Sequence, residues 1–219
     1  MNSIIITGAG TGLGRELALK YGKEGYHLIL VGRSEETLSE VKNLLNDAHI
    51  TVMDIRNKRE VDEKIKFLLK EYKVVGLINN AGIGLFGPFE KVKENEIDEM
   101  FQTNVLGTMY MTQAVLPNIC ELDGSFIMNI ISTAGLRGKV NEAAYVASKF
   151  AVRGFTESIQ KEYKEKPVLI SAVYMGGMNT PFWNRSEHVK DPFKFRSPAE
   201  VAEIIFSQKE KECVVIESK

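Results

Sequence analysis

Cysteine is nearly absent from this chain of 219 residues: Cys120 and Cys213 are the two it has, far apart in sequence. That excludes a disulfide framework and a thiolate metal cluster, and it is read as two buried free thiols in a reducing compartment. Histidine is as scarce, and His27, His49 and His188 stand at no ligand spacing, so no zinc site is expected. No apolar run approaches the ~18 residues that a membrane span needs. No basic-then-apolar leader precedes the first strand-like run, Ser3 to Thr7, which predicts a cytoplasmic protein without a membrane partner. A formal net charge of −1 and the lack of a dense Lys/Arg run argue against a nucleic-acid partner. The basic stretch from Lys161 to Lys166 alternates with glutamate and reads as a solvated helix face. Linkers, repeats and low-complexity tracts are also missing, so residues 1–219 are expected to form a single domain.

What is present is an ordinary globular composition, 44% hydrophobic and 26% charged, arranged in a regular alternation. Short β-branched runs at Ile4–Ile6, His27–Val31, Ile50–Met53, Val74–Ile78, Ser125–Ile131, Val168–Val173 and Cys213–Ile216 read as strands. Between them lie helical periodicities. Leu13, Leu17, Ala18 and Tyr21 share a face, as do Leu38, Val41, Leu44 and Leu45 behind an N-cap at Ser34. Val61, Ile65, Leu68 and Leu69 mark a third helix. Ile97, Phe101, Val105 and Met109 mark a long helix reaching toward Pro117, another holds Tyr145 and runs to about Tyr163, and a last covers Pro198–Gln208. Continuously apolar strands separated by helices predict a parallel sheet covered on both faces. With right-handed crossovers the fold class is α/β, a doubly wound Rossmann-like sheet of about seven strands.

The first strand runs into TGAGTGLGRE, where glycines permit a tight turn and a close approach of backbone amides to a pyrophosphate. A Walker A loop is excluded, because no Gly-Lys-Ser/Thr follows. A second concentration of chemistry lies between Ser132 and Lys149. Residues i and i+4 share a helical face, so Lys149 would stand beside the phenol of Tyr145. A free phenol has a pKa of about 10, and a neighbouring ammonium favours the phenolate, which would make Tyr145 a general acid/base at neutral pH. The plainer reading of the same residues is an amphipathic helix with an exposed lysine.

The pattern T-G-x-x-x-G-x-G through Thr7, Gly8, Gly12 and Gly14, with Asn79-Asn80-Ala81-Gly82, Ser132, Tyr145 and Lys149, resembles the short-chain dehydrogenase/reductase family over almost the whole chain. The resemblance implies an oxidoreductase that moves a hydride between a nicotinamide cofactor and a carbonyl or alcohol. In it Ser132 would hold the substrate oxygen and Tyr145 would exchange the proton. Lys149 would bind the nicotinamide ribose and lower the tyrosine pKa, and Asn104 would organise a water leading to the lysine. Gly8, Thr11, Gly12, Leu13, Gly14, Asn80, Ala81, Gly82, Tyr145, Lys149 and Thr180 would contact cofactor, and Asp54 the adenine, unless Asp54 is only a cap. Gly32 stands where members preferring NAD usually carry aspartate, and Arg33 follows it. An arginine there can pair with a 2′-phosphate, with Ser34 and Thr11 as hydroxyl donors, so the cofactor is expected to be NADP(H).

The chain departs from the family after the sixth strand, where Met175 replaces the usual proline before Gly176 and leaves the loop less fixed in φ. Residues 181–197 are expected to form a short substrate lid over an open cleft. In it Phe182, Trp183, Phe193 and Phe195 would line an apolar pocket or merely pin the loop, and Arg185, Lys190 and Lys194 would meet an anion. Ala147, Ala151 and Gly154 form a small-residue stripe that favours a homodimer over a tetramer. The expected partner is a small-molecule carbonyl or alcohol. The alternative is a catalytically idle NADP-binding regulator of the same fold; the family's epimerase or dehydratase chemistry is disfavoured by the short chain.

Overall fold

The computed structural model describes residues 1–185 and 188–218. Seven parallel strands form one sheet in the order β3-β2-β1-β4-β5-β6-β7. They are β1 (Asn2–Thr7), β2 (His27–Gly32), β3 (Ala48–Val52), β4 (Lys73–Asn79), β5 (Phe126–Ile130), β6 (Leu169–Met175) and β7 (Cys213–Ile216). The helices are α1 (Gly12–Lys23), α2 (Glu35–Lys42), α3 (Lys58–Glu71), α4 (Glu94–Met100), α5 (Thr108–Ile119), α6 (Ala143–Glu162) and α7 (Pro198–Ser207). Side chains alternate across each strand, so Ile4 and Ile6 join one apolar cluster while Ile5 joins the other. The first cluster is covered by Leu17 of α1, Val41 of α2 and Ile205 of α7; the second by Ile65 of α3, Val115 of α5 and Ile159 of α6. The sheet is therefore doubly wound, as expected. Its order reverses between β1 and β4, which opens a crevice at their carboxyl ends.

Local chemistry explains the helix starts. Ser34, Asn57 and Ser197 cap α2, α3 and α7 by accepting hydrogen bonds from Thr37, Glu60 and Ser197's third successor, Glu200, at 3.4, 3.2 and 3.1 Å. Three expectations need correction. Helix α2 ends at Lys42, so Leu44 is solvent-exposed, and Leu45 instead packs close over Gly22 of α1. Cys213, at the start of β7, is exposed, and Cys120, just past the end of α5, is half-buried at the margin of the second apolar cluster. The long helix expected before Pro117 is interrupted by a turn of π-helix, Phe101–Gly107, between α4 and α5.

A chain of buried amides crosses the sheet on the α5/α6 side. Asn79 Nδ2 donates to Thr112 Oγ1 of α5 at 3.0 Å and to Asn129 Oδ1 at 2.9 Å. Asn129 Nδ2 in turn donates to Thr156 Oγ1 of α6 at 2.9 Å. Each bond is directional where the surrounding apolar contacts are not, so the chain fixes how both helices lie on β4 and β5. Asn129→Leu should lower stability by about 1–3 kcal/mol, since it leaves buried partners unsatisfied. An unchanged midpoint in urea unfolding would contradict this.

Candidate active site

The crevice begins at the turn from β1 into α1. Gly8 and Gly12 have φ of 64° and 53°, in the left-handed region that favours glycine. Gly14 serves a different need: a Cβ there would lie 2.2 Å from the Gly8 carbonyl oxygen. It does not itself face the cleft, but it lets α1 sit tight against the loop. Thr7 Oγ1 accepts from the amides of Asn80 and Ala81 at 3.0 Å each, and Asn80 Nδ2 donates to the Thr7 carbonyl at 3.0 Å. These bonds lace the loop after β4 to the loop after β1. The result is a cleft of about 610 Å³, whose walls include Gly8, Thr11, Gly12, Leu13, Asn80, Ala81 and Gly82. Thr11, the N-cap of α1, makes no side-chain cap, so the first amides of α1 are open to an anion.

At one end of the cleft stand Arg33, Ser34, Thr37 and Asp54. Arg33 is exposed, and among the described residues no carboxylate lies within ion-pair distance of it. Ser34 Oγ is engaged in capping α2, and Thr37 Oγ1 donates to the Ser34 carbonyl at 3.2 Å. Asp54 accepts from Arg56 Nε at 2.9 and 3.0 Å and from Nη2 at 2.6 Å, which holds its carboxyl below the usual range. Thr37 escaped the sequence reading; its position in the first turn behind a capping serine was the available signal.

At the other end are Ser132, Tyr145 and Lys149. Ser132 lies two residues beyond β5 with φ 125° and ψ 152°, a conformation costly for a residue with a side chain. Tyr145 and Lys149, one turn apart on α6, are 5% and 6% exposed. Lys149 Nζ lies 5.7 Å from the centre of the Tyr145 ring and donates to the Ile130 carbonyl at 3.3 Å. Burial lowers the Lys149 pKa from 10.5 to about 8. The Tyr145 pKa is raised, first by burial and also by the Glu142 carboxylate, while a hydrogen bond with Ser132 pulls it down. The protein's own groups thus push the phenol upward, opposite to the lowering expected from the lysine, because burial outweighs the Ser132 hydrogen bond.

Asn104 is buried behind the cleft in the π turn. Its Oδ1 accepts from the Ile83 amide at 2.8 Å, and its Nδ2 donates to the Ile83 carbonyl and to Ser148 Oγ, both at 3.0 Å. Its side chain is therefore committed to holding the loop after β4 against α6. The neighbouring Thr103 Oγ1 is buried in the cleft wall without a partner, a free polar group of the kind a ligand satisfies. Lys139 and Glu142 also reach the cleft. Sequence spacing did not point to them, because their loop turns through Asn141 at φ 62°.

Thr180 lies opposite Gly12, where a Cβ would come within 3.3 Å of its own. Phe182 and Trp183 line the cleft within the short turn Pro181–Arg185. The other expected lid residues do not: Phe193 is 83% exposed, and Phe195 packs against Gly177 and Trp183. Lys190 is exposed, and Lys194 lies 3.7 Å from Asp191 in solvent. The side chain of Arg185, and residues 186 and 187 of the expected lid, lie outside the described residues. Among the described residues no group of His, Cys, Asp and Glu is placed to hold a metal, and no helix is long and apolar enough to cross a membrane.

Comparison with known proteins places this architecture. Residues 2–191 match the family model for short chain dehydrogenases, and the chain belongs to that family of oxidoreductases. It is 31% identical over 207 residues to an uncharacterized oxidoreductase of Staphylococcus aureus strain MW2, covering 92% of this chain and 87% of that one. A short-chain dehydrogenase/reductase of Vibrio parahaemolyticus superposes with a TM-score of 0.88 at 30% identity, covering 99% of this chain and 100% of the other. An alcohol dehydrogenase of the archaeon Thermococcus sibiricus, complexed with 5-hydroxy-NADP, gives 0.87 at 26% identity over 99% and 94% of the two chains.

The depressed lysine has a thermodynamic sign. Below pH 8 Lys149 is charged in both folded and unfolded chains, so the full cost of burying the charge falls on the native state. The cost fades as pH rises from about 8 toward the ordinary 10.5. Lys149→Met should therefore be more stable than the wild type at pH 7, by up to about 3 kcal/mol. The gain should shrink by pH 10. Equal differences in urea unfolding at both pH values would count against it.

Proposed function

We propose that the chain is an NADP(H)-dependent oxidoreductase that interconverts a carbonyl and an alcohol, with Tyr145 as general acid/base. The observation that carries this is the convergence of the Ser132 hydroxyl, the Tyr145 phenol and the Lys149 ammonium on one cleft floored by glycines. The glycine turn, the uncapped start of α1 and the unpaired Thr103 hydroxyl fit a dinucleotide. A bound nicotinamide supplies or accepts the hydride.

The chain's own residues do the rest. Ser132 and Tyr145 offer two hydroxyl donors to an oxygen that gains negative charge as the carbonyl is reduced. The raised pKa keeps the phenol protonated at neutral pH, ready to donate in that direction. Lys149, with a pKa of about 8, is mostly charged at pH 7 and stabilises the phenolate that the donation leaves. Asn104 positions Ile83 and α6, so that the loop after β4 and Tyr145 keep a fixed separation. Gly8, Thr11, Gly12, Leu13, Asn80, Ala81, Gly82 and Thr180 hold the dinucleotide along the cleft, with Gly14 setting the tightness of the turn.

Arg33, within ion-pair distance of no carboxylate among the described residues and beside Ser34 and Thr37, suits a 2′-phosphate, and the Thermococcus relative complexed with 5-hydroxy-NADP supports that preference. Asp54, already engaged by Arg56, forms the adenine end. Phe182, Trp183 and Ile83 give the substrate end an apolar wall, while Lys139 and Glu142 make one side polar. The substrate is accordingly a small carbonyl compound with an apolar body. Ala147 and Gly154, exposed on α6, and half-buried Ala151 leave that helix open to a second copy, so a homodimer is the assembly that light scattering should report.

Tyr145→Phe should reduce turnover at least a hundredfold while NADPH still binds, since general acid/base catalysis contributes about 10²–10⁴-fold. Retained reductase activity in an NADPH-consumption assay over ketones and aldehydes would refute the role. Arg33→Ala should weaken NADPH binding about tenfold or more and leave NADH binding unchanged, as expected for one lost charge-assisted pair. Equal NADPH affinity in variant and wild type would refute the cofactor preference.

A further inference from the structure

With Met175 in place of a proline, the loop that follows β6 lacks a covalent restraint on φ, yet it forms one wall of the cleft through Met175, Gly176 and Gly177. The restraint comes from the other end of the chain. The Gly176 amide donates to the Ile216 carbonyl at 2.8 Å, and the Gly177 amide to Ser218 Oγ at 3.0 Å. The approach is so close that a Cβ on Gly176 would lie 2.2 Å from Ser218 Oγ and 2.5 Å from the Ser218 nitrogen. On its opposite side Gly177 meets the Phe195 ring, where a Cβ would lie 2.9 Å away. The two glycines are thus held between Ser218 and Phe195, and Phe195 in turn contacts Trp183 in the cleft wall at 6.0 Å between ring centres. Trp183 is tied to the same loop, its indole N–H donating to the Met178 carbonyl at 2.7 Å.

The residue before Ser218 reaches the other wall. Glu217 accepts from both terminal nitrogens of Arg137, at 3.1 and 2.7 Å. Arg137 belongs to the loop that leaves Ser132 and leads to Tyr145. Two consecutive residues beyond β7 therefore hold the two loops that flank one cleft: Ser218 binds a wall residue directly by its hydroxyl, and Glu217 binds Arg137, which does not itself line the cleft but lies between the wall residues Ser132 and Lys139. The pair is half-exposed, so it adds little to global stability. Its geometry, not its energy, is what the cleft would use.

We infer that Glu217 and Ser218 form a clasp that sets the separation of the cleft walls, acting as positioning residues for the dinucleotide through Gly176–Gly177 and Arg137. The inference rests on the proposed oxidoreductase reading, but its first readout does not. Trp183 is the single tryptophan of the chain, so its emission reports on this loop alone. In the cofactor-free protein, Ser218→Ala and Glu217→Gln should each make Trp183 more accessible to acrylamide quenching, with an unchanged urea midpoint. Both should weaken NADPH binding, Ser218→Ala by about tenfold as for one lost directional bond in a preorganised site, and Glu217→Gln by about threefold to fivefold, the most that a half-exposed pair supplies. Ser218→Thr, which keeps the hydroxyl, and the charge-swapped pair Arg137→Glu with Glu217→Arg should bind within about twofold of wild type. Unaltered quenching in both single variants overturns the clasp. So does altered quenching with NADPH affinity kept within twofold, which would make the contact a local one. A wild type that binds neither NADPH nor NADH instead overturns the cofactor reading, and the quenching comparison still decides the clasp.

Discussion

An ammonium group held out of water is the constraint on which the cleft depends. Lys149 has a carbonyl, that of Ile130, as its hydrogen-bond acceptor, and it reaches the cleft only because its surroundings are small. A Cβ on Gly82 would come within 3.5 Å of Nζ, and one on Gly135 within 3.1 Å of the Lys149 carbonyl oxygen. Asn104, in a π turn that widens the helix locally, braces the loop of Gly82 from behind. The native state carries the cost of burying that charge, a cost that a negative group in the cleft would offset. The features around it read as the framework that tolerates such a cost: the amide chain from Thr112 to Thr156, the laced loops at Thr7 and Asn80, and the docked helix α1.

Opposed demands on Tyr145 follow from the same burial. A phenol enclosed by apolar side chains resists ionisation, and the Glu142 carboxylate adds to that resistance. Enclosure also strengthens the Ser132 and Tyr145 hydroxyls as donors by removing competing water. The fold therefore holds Tyr145 as a strong hydrogen-bond donor and leaves its acidity to be adjusted by what enters the cleft. Ser132, by its hydrogen bond, is the resident group that pulls the phenol pKa down, and in the proposed reaction Lys149, one helical turn away, adds a positive charge near any phenolate that forms.

Much of this was legible in the residues themselves. Glycines that need positive φ, a tyrosine and lysine one turn apart, and uninterrupted β-branched strands each express a local rule, and local rules survive translation into sequence. The doubly wound sheet followed from them with strand limits off by a residue or two. What stayed hidden depends on contacts between distant segments. Ser218 meets Gly177 across 41 positions and Glu217 meets Arg137 across 80, and neither pairing leaves a spacing to recognise. The end of α2 was misplaced because Leu44 and Leu45 continue the apolar period after the hydrogen-bonded helix has stopped. Lys139 and Glu142 were missed because the turn at Asn141 brings them round to the cleft, and left-handed backbone at an asparagine is permitted but not announced. The aromatic lid was half legible: its composition suggested a wall, and only the fold separates Phe182 and Trp183 from solvent-facing Phe193.

Ser132 carries a consequence for how variants of this chain would be found. At φ 125° and ψ 152° its backbone sits where glycine is at ease and every other residue is strained. Selection for thermal robustness alone would therefore favour a glycine there, because the substitution relieves the strain at the cost of two hydroxyl contacts, one with the Ala134 amide and one with the Tyr145 phenol. Under the proposed reaction, selection for turnover would instead hold the serine in place for the hydroxyl it presents beside Tyr145. A library sorted by heat resistance and the same library sorted by product would diverge at this position, and the divergence would mark the residue as functional without any knowledge of the substrate.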